Sequence, residues 1–265
     1  MKVLIIDSHN MLHRARYGFG SGPHKIFFNF FKMLMGEVKK LKPDIVYVVD
    51  EGKPVQSLAI LESYKGNRVK IDDPDFRREK SEVFDAIKNL TGFVYVKHPF
   101  FECDDVVGHL ATVVHPADDV TIVSTDSDFI QLVTKNVQLW HPIKKEFIES
   151  WPVDYVTWKA LKGDPTDNVP GIDGIGPKRA MDLAGDLEKL QKFLDGDSEK
   201  RLRFEEAQKL VKLKPVDNEG LEVVQSNFSD KNLLEEFSKR EIRSIVSGWR
   251  KMSEAFAQAG GKSAI

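Results

Sequence analysis

Three apolar runs in this chain end in aspartate: KVLII before Asp7, DIVYVV before Asp50 and VTIVST before Asp126. Each is short and rich in Val and Ile, the pattern of a strand buried on both faces of a parallel sheet. Such a sheet opens its ligand crevice at the carboxyl ends of its strands, so three acidic side chains would meet along one edge. Their repulsion is costly unless positive charge lies between them. The chain adds Glu102, Asp104 and Asp105 in FECDD, Asp128 in STDSD, and Asp164 with Asp167 in GDPTDN. A single strand-terminal Asp commonly caps the next helix, and acids suit a first helical turn. Nine exceed what capping requires. Mg²⁺ takes one or two carboxylates per ion and keeps several waters, so the set predicts two ions, with acids enough for a third and Mn²⁺ as a substitute. Two such ions clamp the attacking and leaving oxygens of a phosphoryl displacement.

The order of elements predicts an α/β fold with a mostly parallel sheet. Strands are expected at 2–7, 44–50, 93–97, 120–125, 137–141 and 146–149. A loop follows the first strand, and then a helix over 25–41 with Ile26, Phe27, Phe30, Phe31, Leu34 and Val38 at helical spacing. Helices are also expected over 53–63 and 75–90, from FECDD onward and around Phe129, Ile130 and Leu132. Beyond Trp151 the strand signal ends and helical patterns dominate. The expected division is therefore 1–155 and 156–265, with a polar arch segment at about 65–84.

Net charge is −2, yet setting aside nine of the 41 acids leaves 32 against 39 basic residues, an excess of seven. Basic residues cluster at Lys65, Arg68 and Lys70, at Arg77, Arg78 and Lys80, and at Lys178 and Arg179. An acidic pocket in a basic surround suits a phosphodiester held near metal ions. No apolar stretch approaches the roughly 18 residues of a membrane span. The first strand leaves no room for a signal peptide, and the single cysteine, Cys103, fits a reducing compartment. A cytoplasmic protein is expected.

In GDPTDNVPGIDGIGPKRA, Gly171, Gly174 and Gly176 permit tight turns and close approach of a ligand. The spacing is neither the dinucleotide fingerprint nor a Walker A loop. A glycine hairpin before a helix starting at Pro177 would present amides to a phosphate, with Lys178 and Arg179 adding charge. In YKGNR, Lys65 and Arg68 are placed to stabilise charge on a scissile phosphate, and Arg14 has similar standing near Asp7. The seven histidines show no zinc spacing. Cys103 reads as a small packing residue.

IIDSHNMLHR, VVDEGKP with SYKGNR, FECDDVVGHLA, VSTDSDFIQL and KGDPTDNVPGIDGIGPKRA, in this order, resemble the flap endonuclease and 5′-3′ exonuclease family, particularly its stand-alone bacteriophage members. The resemblance runs from Asp7 to about residue 250. It implies a PIN-like α/β domain followed by a helix–three-turn–helix DNA-binding region, and Mg²⁺-dependent hydrolysis of branched or 5′-ended DNA in replication or repair. It assigns Asp7, Asp50, Glu102, Asp104 and Asp126 to a first ion, Asp128, Asp164 and Asp167 to a second, and Asp105 to support. It makes Lys65 and Arg68 phosphate contacts, and Gly174, Gly176 and Lys178 a hairpin for duplex DNA, with a K⁺ site near Gly171–Gly176. It implies a monomer acting on DNA, with RNA–DNA hybrid and replication proteins as further partners. Two departures stand out: Ser8 follows the first Asp where the family has Gly, and the arch is short. The competing readings are a PIN-type ribonuclease, a small-molecule phosphatase and a non-catalytic branched-DNA-binding protein.

Overall fold

The computed structural model describes residues 1–68 and 72–260. Among the described residues seven strands form one sheet: β1 (Lys2–Asp7), β2 (Ile45–Val49), β3 (Val94–Lys97), β4 (Asp119–Val123), β5 (Val137–His141), β6 (Glu146–Ile148) and β7 (Glu222–Gln225). Their order is β6-β5-β4-β1-β2-β3-β7. The five central strands run parallel, and only the two edge strands are antiparallel to their neighbours. Strands β1 and β2 are buried along almost their whole length, which is why their sequences are unbroken apolar runs rather than alternating ones.

One face of the sheet carries α1 (Ser8–Arg16), α2 (Lys25–Leu41) and α4 (Pro74–Leu90), whose Phe27, Phe30, Phe31, Leu34, Val83 and Ile87 pack on Leu4, Ile6, Val46 and Val48. On the other face Val3, Ile5, Tyr47 and Val49 meet Val106, Val107 and Leu110 of α5 (Cys103–His109) and the π-helical turn that continues it. Residues 8–16, expected as loop, are helical. The Asp7 carboxylate accepts the Asn10 amide at 3.0 Å as an N-cap, and Met11, Leu12 and Ala15 bury one face. The helix expected over 53–63 shrinks to α3 (Val55–Ile60), and the one around Phe129 is a single 3₁₀ segment, Ser127–Leu132.

A third apolar cluster belongs to α6 (Tyr155–Lys162), α7 (Pro177–Ala184), α8 (Leu187–Asp195) and α9 (Ser198–Val211), built on Ala160, Leu161, Ile172, Ile175, Leu183, Phe204 and Leu210. The chain then returns to the sheet. Strand β7 pairs with β3, and α10 (Asp230–Lys239), α11 (Arg243–Val246) and α12 (Trp249–Ala259) place Leu233, Phe237, Ile245, Trp249 and Phe256 in the same core as α2. This corrects the expectation that strands end near Trp151. Four residues, EVVQ, with only partial burial give too short and too polar a run to register as a strand.

Phe237 is fully buried, with its ring 5.9 Å from Phe27 and 5.3 Å from Phe31. Phe237→Ala is expected to cost about 3–5 kcal/mol in denaturant unfolding, which would show that the C-terminal helices share the stability of the sheet. A loss below 1 kcal/mol would show that they do not.

Candidate metal centre and nucleic-acid interface

Register fixes the acidic edge. Asp7 pairs with Val49, and Ile6 pairs with Val123, so Asp7, the residues after Val49 and those after Val123 end at one level. Ser8 donates its hydroxyl to the Val49 carbonyl and ties the ends of β1 and β2 together. Asp7 is buried: one oxygen accepts from Ser124 Oγ at 2.6 Å and the other from the Asn10 amide. Burial chiefly raises its pKa, and the charge of Asp126 adds to this. Asp104 is pushed well above the usual carboxylate range by burial, then by Asp126, Asp7 and Glu51. It accepts no hydrogen bond from the described residues.

Asp126 caps the 3₁₀ turn through the Asp128 amide at 2.9 Å and aims Asp128 toward the helical region. There Asp128, Asp164 and Asp167 offer carboxylate oxygens that all lie within 4.8 Å of one another. Lys159 of α6 binds Asp128 and reaches Asp164 Oδ2 at 2.7 Å. Lys65 binds Glu102 and lies 3.7 Å from Asp167 Oδ2, and Arg68 pairs with Asp167. Burial alone would lower the pKa of Lys65, but Glu102 raises it on balance, and Asp128 does the same for Lys159. The turn that carries Lys65 and Arg68 is stitched to the 164–168 loop. Lys65 N donates to the Asp167 carbonyl (2.9 Å), Asn67 Nδ2 to Pro165 O (2.7 Å) and Asn168 Nδ2 to Ser63 O (2.8 Å). Lys65 holds a φ of 53°, an uncommon value for a residue other than glycine, and Tyr64 Oη beside it donates to Glu102 at 3.2 Å. Of the expected arch at 65–84, residues 69–71 lie outside the described residues, and from Pro74 onward it is α4.

Asp7, Glu51, Glu102, Asp104, Asp126, Asp128, Asp164 and Asp167 thus form one continuous field, compensated by Lys65, Arg68 and Lys159. Eight acids against three cations favour further positive charge. The donors are all hard oxygens. The Cys103 thiol is buried, shifted up by burial and directed at Val49 O (3.4 Å) and Asp7 (3.6 Å), and His9 is held neutral, its pKa lowered to about 3 mainly by burial. The set fits a hard divalent ion rather than a thiolate- or imidazole-bound one. A cavity of about 320 Å³ opens beside Asp126, Asp128, Asp164 and Asp167, with Arg68, Trp151, Trp158 and Lys162 on its walls.

Two predicted ligands are not brought into this field. Asp50 gives both oxygens to donors on the α4–β3 side, where Lys80 and Lys97 outweigh burial and lower its pKa. Asp105 turns to the Lys214 amide at 2.7 Å and fastens α5 to the segment after α9. Arg14 is half-buried within the fields of Glu37 and Asp7, its pKa lowered mainly by burial. Sequence reasoning missed Lys159 and Glu51. A lysine interrupting the apolar helix YVTWKAL was the available signal for the first, since a lysine 5% exposed survives only when paired.

The glycine hairpin divides by role. A Cβ on Gly171 would lie 2.4 Å from the Lys162 carbonyl, so its bareness serves the packing of the loop on α6. Gly174 (φ 74°) and Gly176 face open space, with nothing within 4 Å of where a Cβ would stand. Buried Ile172 and Ile175 anchor the turn between them, and Lys178 and Arg179 are exposed at the start of α7.

A mostly parallel sheet with acids along its carboxyl edge, joined to a helical hairpin region, defines a PIN-like nuclease fold. The sequence profile described as 5′-3′ exonuclease, N-terminal resolvase-like domain matches residues 2–159, and the chain belongs to the 5′-3′ exonuclease and flap endonuclease family. It is 28% identical to a 5′-3′ exonuclease of Aquifex aeolicus, over 99% of each chain. It is 32% identical, over 73% of its own length, to a thermostable DNA polymerase I of Thermus thermophilus, of which it spans 25%. The fold is similar to that of a bacteriophage T5 flap endonuclease solved with DNA and metal ions, with a TM-score of 0.69 at 19% identity over 99% of this chain and 100% of that one. The family and fold expected from the five sequence blocks are borne out.

In metal-free protein, Asp126→Asn is expected to raise unfolding free energy by about 1 kcal/mol, because a like charge leaves the field. The same variant should lose most of the thermal stabilisation that Mg²⁺ or Ca²⁺ gives the parent. A destabilised variant with undiminished ion response would contradict this. Asp128 is pushed up to about 6, chiefly by burial and against the pull of Lys159. The folded state therefore keeps a proton that the unfolded chain releases near the ordinary value of 3.8, and stability falls as pH rises through this window. Asp128→Asn should remove about 2 kcal/mol of that fall between pH 4 and 7, read from urea midpoints. An unchanged slope would refute the shift.

Proposed function

We propose that this chain is a Mg²⁺-dependent, structure-specific 5′ nuclease that cuts DNA phosphodiesters at flaps or 5′ ends. The observation that carries this reading is the cluster of Asp128, Asp164 and Asp167, continued by the field of Asp7, Glu51, Glu102, Asp104 and Asp126, beside a hairpin whose glycines and cations face solvent. Asp7, Asp104 and Asp126 with Glu102 would hold one ion, and Asp128, Asp164 and Asp167 a second. When bound, the pair supplies Lewis acidity and water activation for in-line displacement at phosphorus. The protein's own groups bind, orient and neutralise. Lys65 and Arg68, paired with Glu102 and Asp167, are free to turn to the scissile phosphate once ions neutralise those acids. There they stabilise charge that develops in the transition state. Lys159 holds Asp128 and Asp164 in register.

The hairpin amides at Gly174–Lys178 would grip a duplex phosphate at a distance from the cut, with K⁺ held by backbone carbonyls of Gly171–Gly176. Residues 156–211 act as the DNA-gripping unit in this reading, whereas 222–260 belong with the sheet whose core they share. The chain covers a quarter of the DNA polymerase I relatives, so its activity is argued from its own site.

The test is cleavage of a 5′-labelled flap substrate in Mg²⁺ and in EDTA, beside single-stranded, blunt-duplex and ribonucleotide-flap controls. Product at the flap junction, dependent on Mg²⁺ and favouring DNA, is expected. Preference for ribonucleotide flaps would favour a ribonuclease, and cleavage of none would overturn the proposal. Lys65→Ala should lower kcat at least 100-fold with flap affinity changed less than threefold; a change confined to KM would reassign it to ground-state binding. Gly176→Ala should fold normally, since the added methyl meets open space, yet weaken duplex binding about tenfold; unchanged binding would remove the hairpin from the interface.

A further inference from the structure

A groove of about 610 Å³ lies between α3 and the C-terminal end of α9, and none of its lining residues belongs to the acidic field. Its apolar part comes from Ala59 and Ile60 of α3, Phe101 before α5, and Leu213 with Pro215 beyond α9. Gln56, Ala59 and Ile60 follow i, i+3, i+4 spacing and so share one face of α3. Ser57 takes the other face, buried, with its hydroxyl toward Glu102 Oε2 at 3.4 Å. This short helix therefore turns one side to the metal-site acids and the other to an open groove. Phe101 is buried beneath that groove, whereas Ala59, Ile60 and Pro215 are exposed along it.

The rim is cationic. Lys209, Lys212 and Lys214 line it, and no acid does among the described residues. Helix α9 makes its ion pairs toward its other end: Lys200 with Asp197, Arg201 with Asp195, and Arg203 with Glu199 and Asp173. Lys214, past the helix, has the charge of Asp105 behind it. Lys209 and Lys212 are exposed. A helix dipole favours cations in the last turn, which accounts for Lys209. It does not account for three lysines gathered around an apolar floor.

Such a floor and rim together suit a ligand that is apolar and anionic at once. Duplex DNA brings phosphates but nothing to cover aliphatic side chains. Single-stranded bases seek flat aromatic platforms, and Phe101, the aromatic residue of the groove, is only 6% exposed. An acidic peptide answers both demands. Its carboxylates reach the lysines, and one aromatic side chain, which buries about 150–250 Å², covers the floor.

We propose that this groove docks an acidic peptide segment of a partner protein. Its carboxylates meet Lys209, Lys212 and Lys214, and its large apolar side chains lie on Ile60, Phe101 and Pro215. A partner held there sits on the back of the helix that touches Glu102, beside the metal-site acids without covering them. The inference does not depend on the ion-binding reading.

The test is fluorescence anisotropy of the full chain with a labelled peptide in which a run of aspartates precedes Leu and Phe. Two control peptides carry Lys for each Asp, or Ser for Leu and Phe. The parent should bind the first at least about tenfold more tightly than either control, and less tightly as salt is added. Lys212→Glu and Ile60→Ser should each weaken that binding at least about fivefold. Ala59→Trp, which fills the groove from an exposed position, replaces Ile60→Ser should the latter melt below the parent. Affinity for a labelled flap DNA should be unchanged in Lys212→Glu. Equal affinity for the three peptides, or undiminished binding by Lys212→Glu, overturns the proposal. So does loss of flap binding in Lys212→Glu, which would give the lysines to DNA. A dimer of the parent in sedimentation, absent from Lys212→Glu, would make a second copy the occupant and likewise overturn it.

Discussion

Repulsion among carboxylates gathered at one edge of a parallel sheet is the interaction on which this molecule turns. Asp126 raises the proton affinity of buried Asp7 and Asp104, and Asp7 adds to that of Asp104, while Lys65 and Lys159 stand against the neighbouring acids. Those lysines also join the two halves of the molecule. Lys65 connects the turn after α3 to Glu102 and to Asp167, and Lys159 connects α6 to Asp128 at the end of β4 and to Asp164. The chemistry-bearing field is therefore also the electrostatic seam between the sheet and the hairpin region. Divalent ions entering it would strengthen the seam and release Lys65 and Arg68 at once, so that ion loading and phosphate recognition become coupled steps.

The apolar framework sets where that field lies. Five parallel strands end level because their register is fixed by side chains buried on both faces, and a slip would carry Ile5 and Ile6 into the wrong clusters. Ser8 and Gly52 then tighten the strand ends, the first by its bond to Val49 O and the second by an approach no larger residue allows. The return of β7 and α10–α12 completes the core on the α2 side, so the sheet that aims the acids is held by residues some 200 positions downstream in the chain.

Much of this was legible in the sequence because its signals were strong and local. The strand ending at Asp7 read correctly, and the one before Asp126 ran two residues past its end at Val123, because buried parallel strands are continuous apolar runs; Lys25–Leu41 matched its helical spacing to the residue. What failed depended on tertiary partners. EVVQ is a strand only because β3 offers an edge, and residues 8–16 are a helix because Asp7 caps them. Asp50 carried the same sequence signal as Asp7, yet Lys80 and Lys97, distant in sequence, draw it away from the field. Glu51 was hidden by standing next to it. Lys159 carried a sign opposite to the pattern being sought, although a lysine in an apolar helix face calls for a buried acid.

Crystals soaked in Mn²⁺ and measured at its absorption edge test the central claim most directly. The account predicts anomalous peaks among Asp7, Asp104 and Asp126 and among Asp128, Asp164 and Asp167, with the Lys65 amine drawn away from Glu102. Peaks scattered over unrelated surface acids, with Lys65 and Lys159 still seated on their carboxylates, would contradict it.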